Sequence, residues 1–126
     1  YLKGKTEATR AMRNLFVAGA ITVADAAGGI SDKERQTLEE FFEEGYALEK
    51  LDPERLRELL PKRIEAARKK ASLSQRMHVV RDLCLIAGVE QPVAQAESRL
   101  LEEIAQGLEI PTDFVSQCLE ASPELD

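Results

Sequence analysis

The chain has 126 residues, of which 44% are hydrophobic and 32% charged, so it suits one domain with a packed core and is not a disordered segment. The formal net charge of −6 argues against the phosphate backbone of nucleic acids as a partner. One histidine and two cysteines are too few for a zinc site of His and Cys ligands, a haem ligand pair or a disulfide framework.

The apolar stretches of the sequence predict neither a signal peptide nor a membrane span. The longest one, from Leu15 to Ile30, contains Asp25 and is shorter than the about 20 apolar residues that a span needs. The chain begins at Tyr1 rather than at a methionine, which favours a domain excised from a longer protein. We therefore expect a soluble, cytoplasmic domain, and any attachment to a membrane face would come from a segment outside it.

Apolar residues recur at helical spacing along nearly the whole chain, and sustained alternation with period two is absent. A first helix is predicted from about Thr6 to Ala27, and Gly28-Gly29 ends it because consecutive glycines favour a helix stop. Its apolar face is a single stripe: Met12, Leu15, Phe16, Gly19, Ala20, Val23 and Ala27. Ser31 and Glu34 form a predicted capping box that opens a second helix, which ends near Ala47.

Helix signals continue through the second half of the chain. Asp52-Pro53 predicts the start of a third helix that reaches about Ser72, and Pro61 should break or restart it. Ser74 is predicted to open the next helix, which ends at the break from Gly88 to Pro92.

Two further helices complete the prediction. One spans about Val93 to Leu108 and has the most regular apolar stripe, and the last runs from about Thr112 to Leu119. The prediction is therefore an all-α, single-domain bundle over residues 1–126, with six or seven helices depending on Pro61.

Two segments of the chain look alike, one from Ala24 to Phe41 and the other from Ala87 to Ile104. Each has a helix end rich in small residues, a tight turn, an aliphatic residue and, four residues later, a glutamate in a new helix. These glutamates are Glu34 and Glu97. The repetition predicts two similar helical hairpins packed about a pseudo-two-fold axis.

These turns resemble those of the TerB-like family, which is named for tellurite resistance. Family members carry, twice, a small residue followed by Asp-Gly, a variable residue, an aliphatic residue, three variable residues and Glu. Residues 26–34 match the first copy with Ala27 in place of Asp, and residues 89–97 match the second with Glu90 for Asp and Gln91 for Gly. Leu108-Glu109-Ile110 also resembles the Leu-Gly-Ile-like turn that precedes the last helix of the family.

The resemblance implies a compact helical module that is often fused to other domains. Related modules occur in membrane-linked stress proteins, in J-domain co-chaperones and appended to membrane zinc peptidases. We expect a non-enzymatic accessory or interaction module, linked to stress response or to membrane-associated complexes. The alternative is the C-terminal regulatory extension of a membrane-associated zinc metallopeptidase with catalysis outside this segment, because no His-Glu-x-x-His motif lies within it.

The resemblance also implies that the acidic residues of the two turns lie close together, where family members have been suggested to bind divalent metal. The corresponding carboxylates are Asp25, Glu34, Glu90 and Glu97. A hard cation needs several oxygen ligands, and Ala27 supplies none where the family has Asp. The glutamates also suit structural roles at helix N-termini, so we expect no cofactor and at most a weak divalent-cation site.

The remaining polar residues give no catalytic set. His78 has no second histidine and no nucleophile in a triad pattern, so we interpret it as an ordinary surface or boundary residue of its helix. Cys84 and Cys118 lie on apolar stripes and are expected to be reduced core residues.

A basic cluster is the candidate for contact with a partner. Its members are Lys62, Arg63, Arg68, Lys69 and Lys70. The simplest interpretation is a solvated helix end, and the functional one is contact with an anionic lipid or an acidic partner. The expected partners are a protein or other domains of the same chain, with no nucleic acid and no direct membrane contact.

Overall fold

The structure is a computed structural model that describes residues 2–26, 28, 32–33, 36, 52–88 and 93–121. Over these residues the chain forms five α-helices and no strand: α1 (Leu2–Ala26), α2 (Pro53–Lys70), α3 (Leu73–Ala87), α4 (Gln95–Gly107) and α5 (Asp113–Ala121). The prediction of an all-α fold is confirmed, although five helices are fewer than the six or seven predicted. The predicted second helix lies mostly outside the described residues, of which Asp32, Lys33 and Gln36 are helical.

Helix α1 is the centre of the bundle. It packs against α2, α3 and α4, and every residue from Leu15 to Ala24 is buried. The prediction of a single apolar stripe was too narrow, because Val17, Ala18 and Ile21 are buried in addition to five stripe residues: Leu15, Phe16, Gly19, Ala20 and Val23. A helix covered on all sides buries its whole circumference, which one-sided periodicity does not reveal. None of the described helices has the length and apolar character required to cross a membrane.

Helix α2 begins where the sequence predicted. Asp52 caps it by accepting a hydrogen bond from the backbone N of Glu54 at 3.1 Å, and Pro53 occupies the first helical position. The predicted break at Pro61 is wrong, because the helix continues without interruption to Lys70. Pro61 is exposed, whereas buried leucine and alanine side chains on both sides of it pack into the core. Their burial offsets a cost of about 3 kcal/mol for an interior proline.

Helix α3 begins two residues before the predicted position. Ser72, not Ser74, is the N-cap: its Oγ accepts from the backbone N of Gln75 at 3.1 Å, and its own N donates to Gln75 Oε1 at 2.8 Å. Both serines are good caps, and the glutamine three residues after Ser72 completes a reciprocal capping box. The predicted end at Gly88 is confirmed, since Gly88 is the C-cap of the helix.

The end of α4 is a Schellman turn, a C-terminal motif closed by two backbone hydrogen bonds. The N of Ile110 donates to Ala105 O at 2.8 Å and the N of Glu109 donates to Gln106 O at 3.0 Å. Glu109 has a φ of 61°, the left-handed conformation that this position requires. Glu109 occupies the position of the glycine in the Leu-Gly-Ile-like turn that this segment resembles. Arg76 of α3 donates to Leu108 O and so ties this turn to the neighbouring helix.

Candidate functional site

Asp25, the first of the predicted metal-ligand candidates, lies in an ion pair. Its Oδ2 accepts from Arg57 Nη2 at 2.6 Å, so the last turn of α1 is joined to α2. A carboxylate at a helix C-terminus opposes the helix dipole, and α1 has no basic residue in its last turn. Arg57 supplies the missing positive charge from the adjacent helix.

Glu97, the second described candidate, lies at the N-terminus of α4 and is 4% exposed. Its Oε1 accepts from the backbone N of Ala94 at 2.9 Å. Ala94 is the N-cap of α4 but has no side-chain oxygen, so Glu97 supplies only the returning half of a capping box. This hydrogen bond supports the predicted structural role of Glu97 at a helix N-terminus.

The predicted weak cation site rested on four carboxylates, of which the structure describes Asp25 and Glu97. Glu34 and Glu90, the other two candidates, lie outside the described residues. Within the described part of the chain, no group of three or more His, Cys, Asp or Glu side chains is placed to hold a metal ion. Asp25 and Glu97 are already bound to protein groups, and calcium or magnesium requires several oxygen ligands together.

The basic cluster divides between two sides of α2. Arg63 Nη1 donates to Asn14 O of α1 at 3.1 Å, which places this side of α2 against α1. At about 100° per residue, Lys70 lies about 20° from Arg63 around the helix, and Lys62 and Lys69 lie about 100° and 120° from it in the same direction. Arg68 lies on the other flank of the helix, so it does not join them.

Helix α1 adds a residue that sequence reasoning missed. The Asp25–Arg57 and Asn14–Arg63 contacts show that α1 and α2 run antiparallel. Arg10 is exposed one helical turn before Asn14, and therefore points along the same flank towards the C-terminal end of α2. No local pattern could have found Arg10, because its neighbours come from a helix about fifty positions away in the chain.

We group five cationic side chains of α1 and α2 as the basic strip: Arg10, Lys62, Arg63, Lys69 and Lys70. Lys69 Nζ lies 3.1 Å from Glu65 Oε1, and this ion pair lowers the pKa of Glu65. Lys62 and Lys70 are exposed, and neither forms an ion pair with any residue that the structure describes. The strip thus carries five positive charges, one of them paired with Glu65, on a chain whose net charge is −6.

A separate cleft of about 320 Å³ opens between α1, α2 and α4 on the other flank of α2. It is lined by Thr22, Arg57, Leu60, Pro61, Ile64, Leu100, Glu103 and Ile104. The hydroxyl of Thr22 is buried and has no hydrogen-bond partner within the described part of the molecule. The lining is mainly apolar, with Arg57 and Glu103 as its charged members.

His78 lies exposed on α3, as predicted. Its Nε2 is 3.3 Å from Asp82 Oδ2, and Arg81 Nη2 lies 3.1 Å from its Nδ1. Burial raises the pKa of Asp82, and the nearby charges of His78 and Arg81 oppose that rise. These contacts are between neighbours on one helix and include no nucleophile.

Comparison with known families extends the resemblance beyond the two turns. The family model described as Tellurite resistance protein TerB matches residues 13–118. This match confirms the resemblance found in the turn motifs. The curated proteins and the solved structures gave no significant match to the chain.

Proposed function

Since the chain belongs to the TerB family, we propose that it is a non-enzymatic accessory domain that acts by binding a protein partner. The domain acts in the cytoplasm, either in a stress response or in a complex at the membrane face. The partner presents an acidic segment, which belongs to another protein or to another domain of the same chain.

The observation that carries this proposal is the basic strip. The antiparallel arrangement directs Arg10 of α1 towards the C-terminal end of α2, which carries Lys69 and Lys70, on a net acidic molecule. An acidic partner is attracted to such a strip while the rest of the surface repels it, and this contrast selects one docking face. Lys62 and Lys70 are exposed and form no ion pair with a described residue, so they lose little when they exchange water for a carboxylate of the partner.

The contacts of the polar side chains support binding rather than catalysis. Asp25 is paired with Arg57, Glu97 caps α4, and His78 contacts its helix neighbours Asp82 and Arg81. Each of these groups stabilises the fold locally. A general base, by contrast, needs a reacting group or a nucleophile within hydrogen-bond reach.

The test uses a fluorescent peptide rich in glutamate and a lysine-rich peptide of equal length, with binding measured by fluorescence anisotropy at low ionic strength. The protein should bind the acidic peptide and not the basic one. Affinity should fall as salt is added, because screening weakens exposed charge pairs. The double variant Lys62→Gln/Lys70→Gln should bind several-fold more weakly than the wild type.

The matched control is Arg55→Gln/Arg99→Gln, which removes the same number of positive charges from exposed positions outside the strip. This control should keep the wild-type affinity. Equal weakening in both double variants would mean that net charge alone governs binding. That result, or failure to bind the acidic peptide at all, would overturn the proposed role of the strip.

A further inference from the structure

The two cysteines of the chain meet at the contact between α3 and α5, although all of α4 separates them in sequence. Cys84 of α3 is 1% exposed in the core, and Cys118 of α5 is partly exposed and packs at the core's edge. Each thiol influences the pKa of the other across this contact, and both thiols are free. The fold therefore pairs a buried thiol with one that solvent reaches.

The surroundings of the two thiols differ, and the difference makes Cys118 more reactive than Cys84. Burial raises the pKa of Cys84 to about 12, so its thiolate is scarce at neutral pH. Burial also raises the pKa of Cys118, but the positive charge of Arg81 opposes that rise. Since the thiolate is the reactive form, Cys118 is the thiol that an oxidant in water reaches first.

We propose that Cys84 and Cys118 are a redox-sensitive dithiol in which hydrogen peroxide forms a reversible disulfide between α3 and α5. The inference rests on the meeting of two thiols at one helix contact. It does not depend on partner binding at the basic strip.

The chemistry takes two steps. The Cys118 thiolate attacks one oxygen of hydrogen peroxide, the O–O bond breaks, and the products are a sulfenic acid and hydroxide, which takes up the thiol's proton to become water. The Cys84 sulfur then attacks the sulfenic sulfur: the S–S bond forms, the S–O bond breaks, and the hydroxide leaves as water with the Cys84 proton. Two thiols are oxidised by two electrons, and one peroxide is reduced to two waters.

The disulfide would change the stability of the C-terminal part of the fold. The sulfur atoms must approach to the about 2.05 Å of an S–S bond, which requires a shift of α5 towards α3. The crosslink then closes a loop that contains all of α4, and it restricts the unfolded chain. We expect the oxidised protein to have a higher Tm than the reduced protein.

The experiment treats the reduced protein with hydrogen peroxide, removes the excess with catalase, and labels remaining thiols with N-ethylmaleimide under denaturing conditions before intact mass spectrometry. The expected product is a monomer that has lost two hydrogens and carries no label. Dithiothreitol should restore both labelling sites. Disulfide-linked dimers, or oxygen added to Cys118 while Cys84 remains a thiol, would overturn the proposal.

Variants separate the roles of the two sulfurs. Cys118→Ser should leave Cys84 reduced under the same treatment, and Cys84→Ala should leave a sulfenic acid at Cys118 that dimedone traps. A parallel measurement on the native wild type needs no substitution in the core: iodoacetamide should modify Cys118 before Cys84. Faster modification of Cys84 would contradict the assigned order of attack.

Discussion

Arg57 Nη2 lies 2.6 Å from Asp25 Oδ2 and fastens the last turn of α1 to α2. Asp25, which the sequence suggested as a weak metal ligand, therefore has Arg57 as a structural partner. A cation that recruited Asp25 would first have to displace Arg57. Within the described chain, no cluster of further carboxylates would compensate for that loss.

The Asp25–Arg57 pair should contribute little to the free energy of unfolding, because both side chains are substantially exposed. A double-mutant cycle with Asp25→Asn and Arg57→Gln should give a coupling energy of at most about 1 kcal/mol, and a smaller one in high salt. Urea unfolding of the four proteins measures it. A coupling energy well above that value, insensitive to salt, would show that the pair is a more important link than its exposure indicates.

No tight divalent-cation site is expected in this domain. Isothermal titration with calcium, magnesium, manganese and zinc should show at most millimolar affinity, and Arg57→Gln, which releases Asp25, should bind no more tightly. Glu34→Gln and Glu97→Gln serve as the comparison. Micromolar affinity that disappears in these two variants would establish a cation site and contradict the structural role of Glu97.

Glu109 occupies a left-handed backbone position, with a φ of 61°. Glycine adopts this conformation without the clash that a Cβ causes, so Glu109→Gly should stabilise the protein by about 1 kcal/mol. Chemical denaturation gives the change. Glu109→Ala is the control, because it removes the charge but retains the Cβ, and it should match the wild type; an equal gain in both variants would assign the effect to charge.

Gly107 marks a close approach between α4 and α2. A Cβ built at this position would lie 2.7 Å from Ile64 Cγ2, a branch point methyl that cannot swing away. Gly107→Ala should therefore destabilise the protein by about 1–3 kcal/mol, although alanine favours helices. Gly88→Ala is the control: its Cβ would meet nothing closer than Cys84 O at 3.5 Å, and its stability should barely change. Equal effects in both variants would refute the steric explanation.

Asp82 should make stability depend on pH. Burial raises its pKa in the folded protein above the ordinary value of about 3.9, so the folded state holds the proton more tightly than the unfolded state. Its contribution is fully present below that ordinary value and is lost as pH rises through the raised pKa. Asp82→Asn should thus be more stable than the wild type at pH 7, with the difference shrinking towards pH 3. Thermal unfolding across this range provides the measurement, and a less stable variant at pH 7 would show that attraction to His78 and Arg81 outweighs burial.

Local signals in the sequence predicted the helical class and several helix ends. Asp52-Pro53 starts a helix and Gly88 ends one because caps, proline and glycine act through nearby backbone atoms. The position of Ser72 was missed because Ser74 is an equally good cap by residue type, and only the hydrogen bonds to Gln75 distinguish the two.

Local sequence patterns could not predict the features that depend on packing between helices. Pro61 stays inside α2 because the helix is held against α1 on either side of it. Likewise, the pairing of Asp25 with Arg57 and the alignment of Arg10 with Lys70 arise from the antiparallel arrangement of α1 and α2. The family match, in contrast, needed no structure, since short turn motifs already indicated it.

The most direct test of the proposed function is photo-crosslinking of the full-length protein in its own cells. A diazirine analogue of lysine, which keeps the positive charge, replaces Lys62 or Lys70, and the same analogue at Gln117 on α5 is the control. The basic strip predicts one discrete crosslink from positions 62 and 70 to an acidic segment, either of a second protein or of another domain of the same chain, and none from position 117. The same crosslinks from all three positions, or no crosslink from the strip to a second protein or within the chain, would contradict the claim that this surface binds an acidic segment.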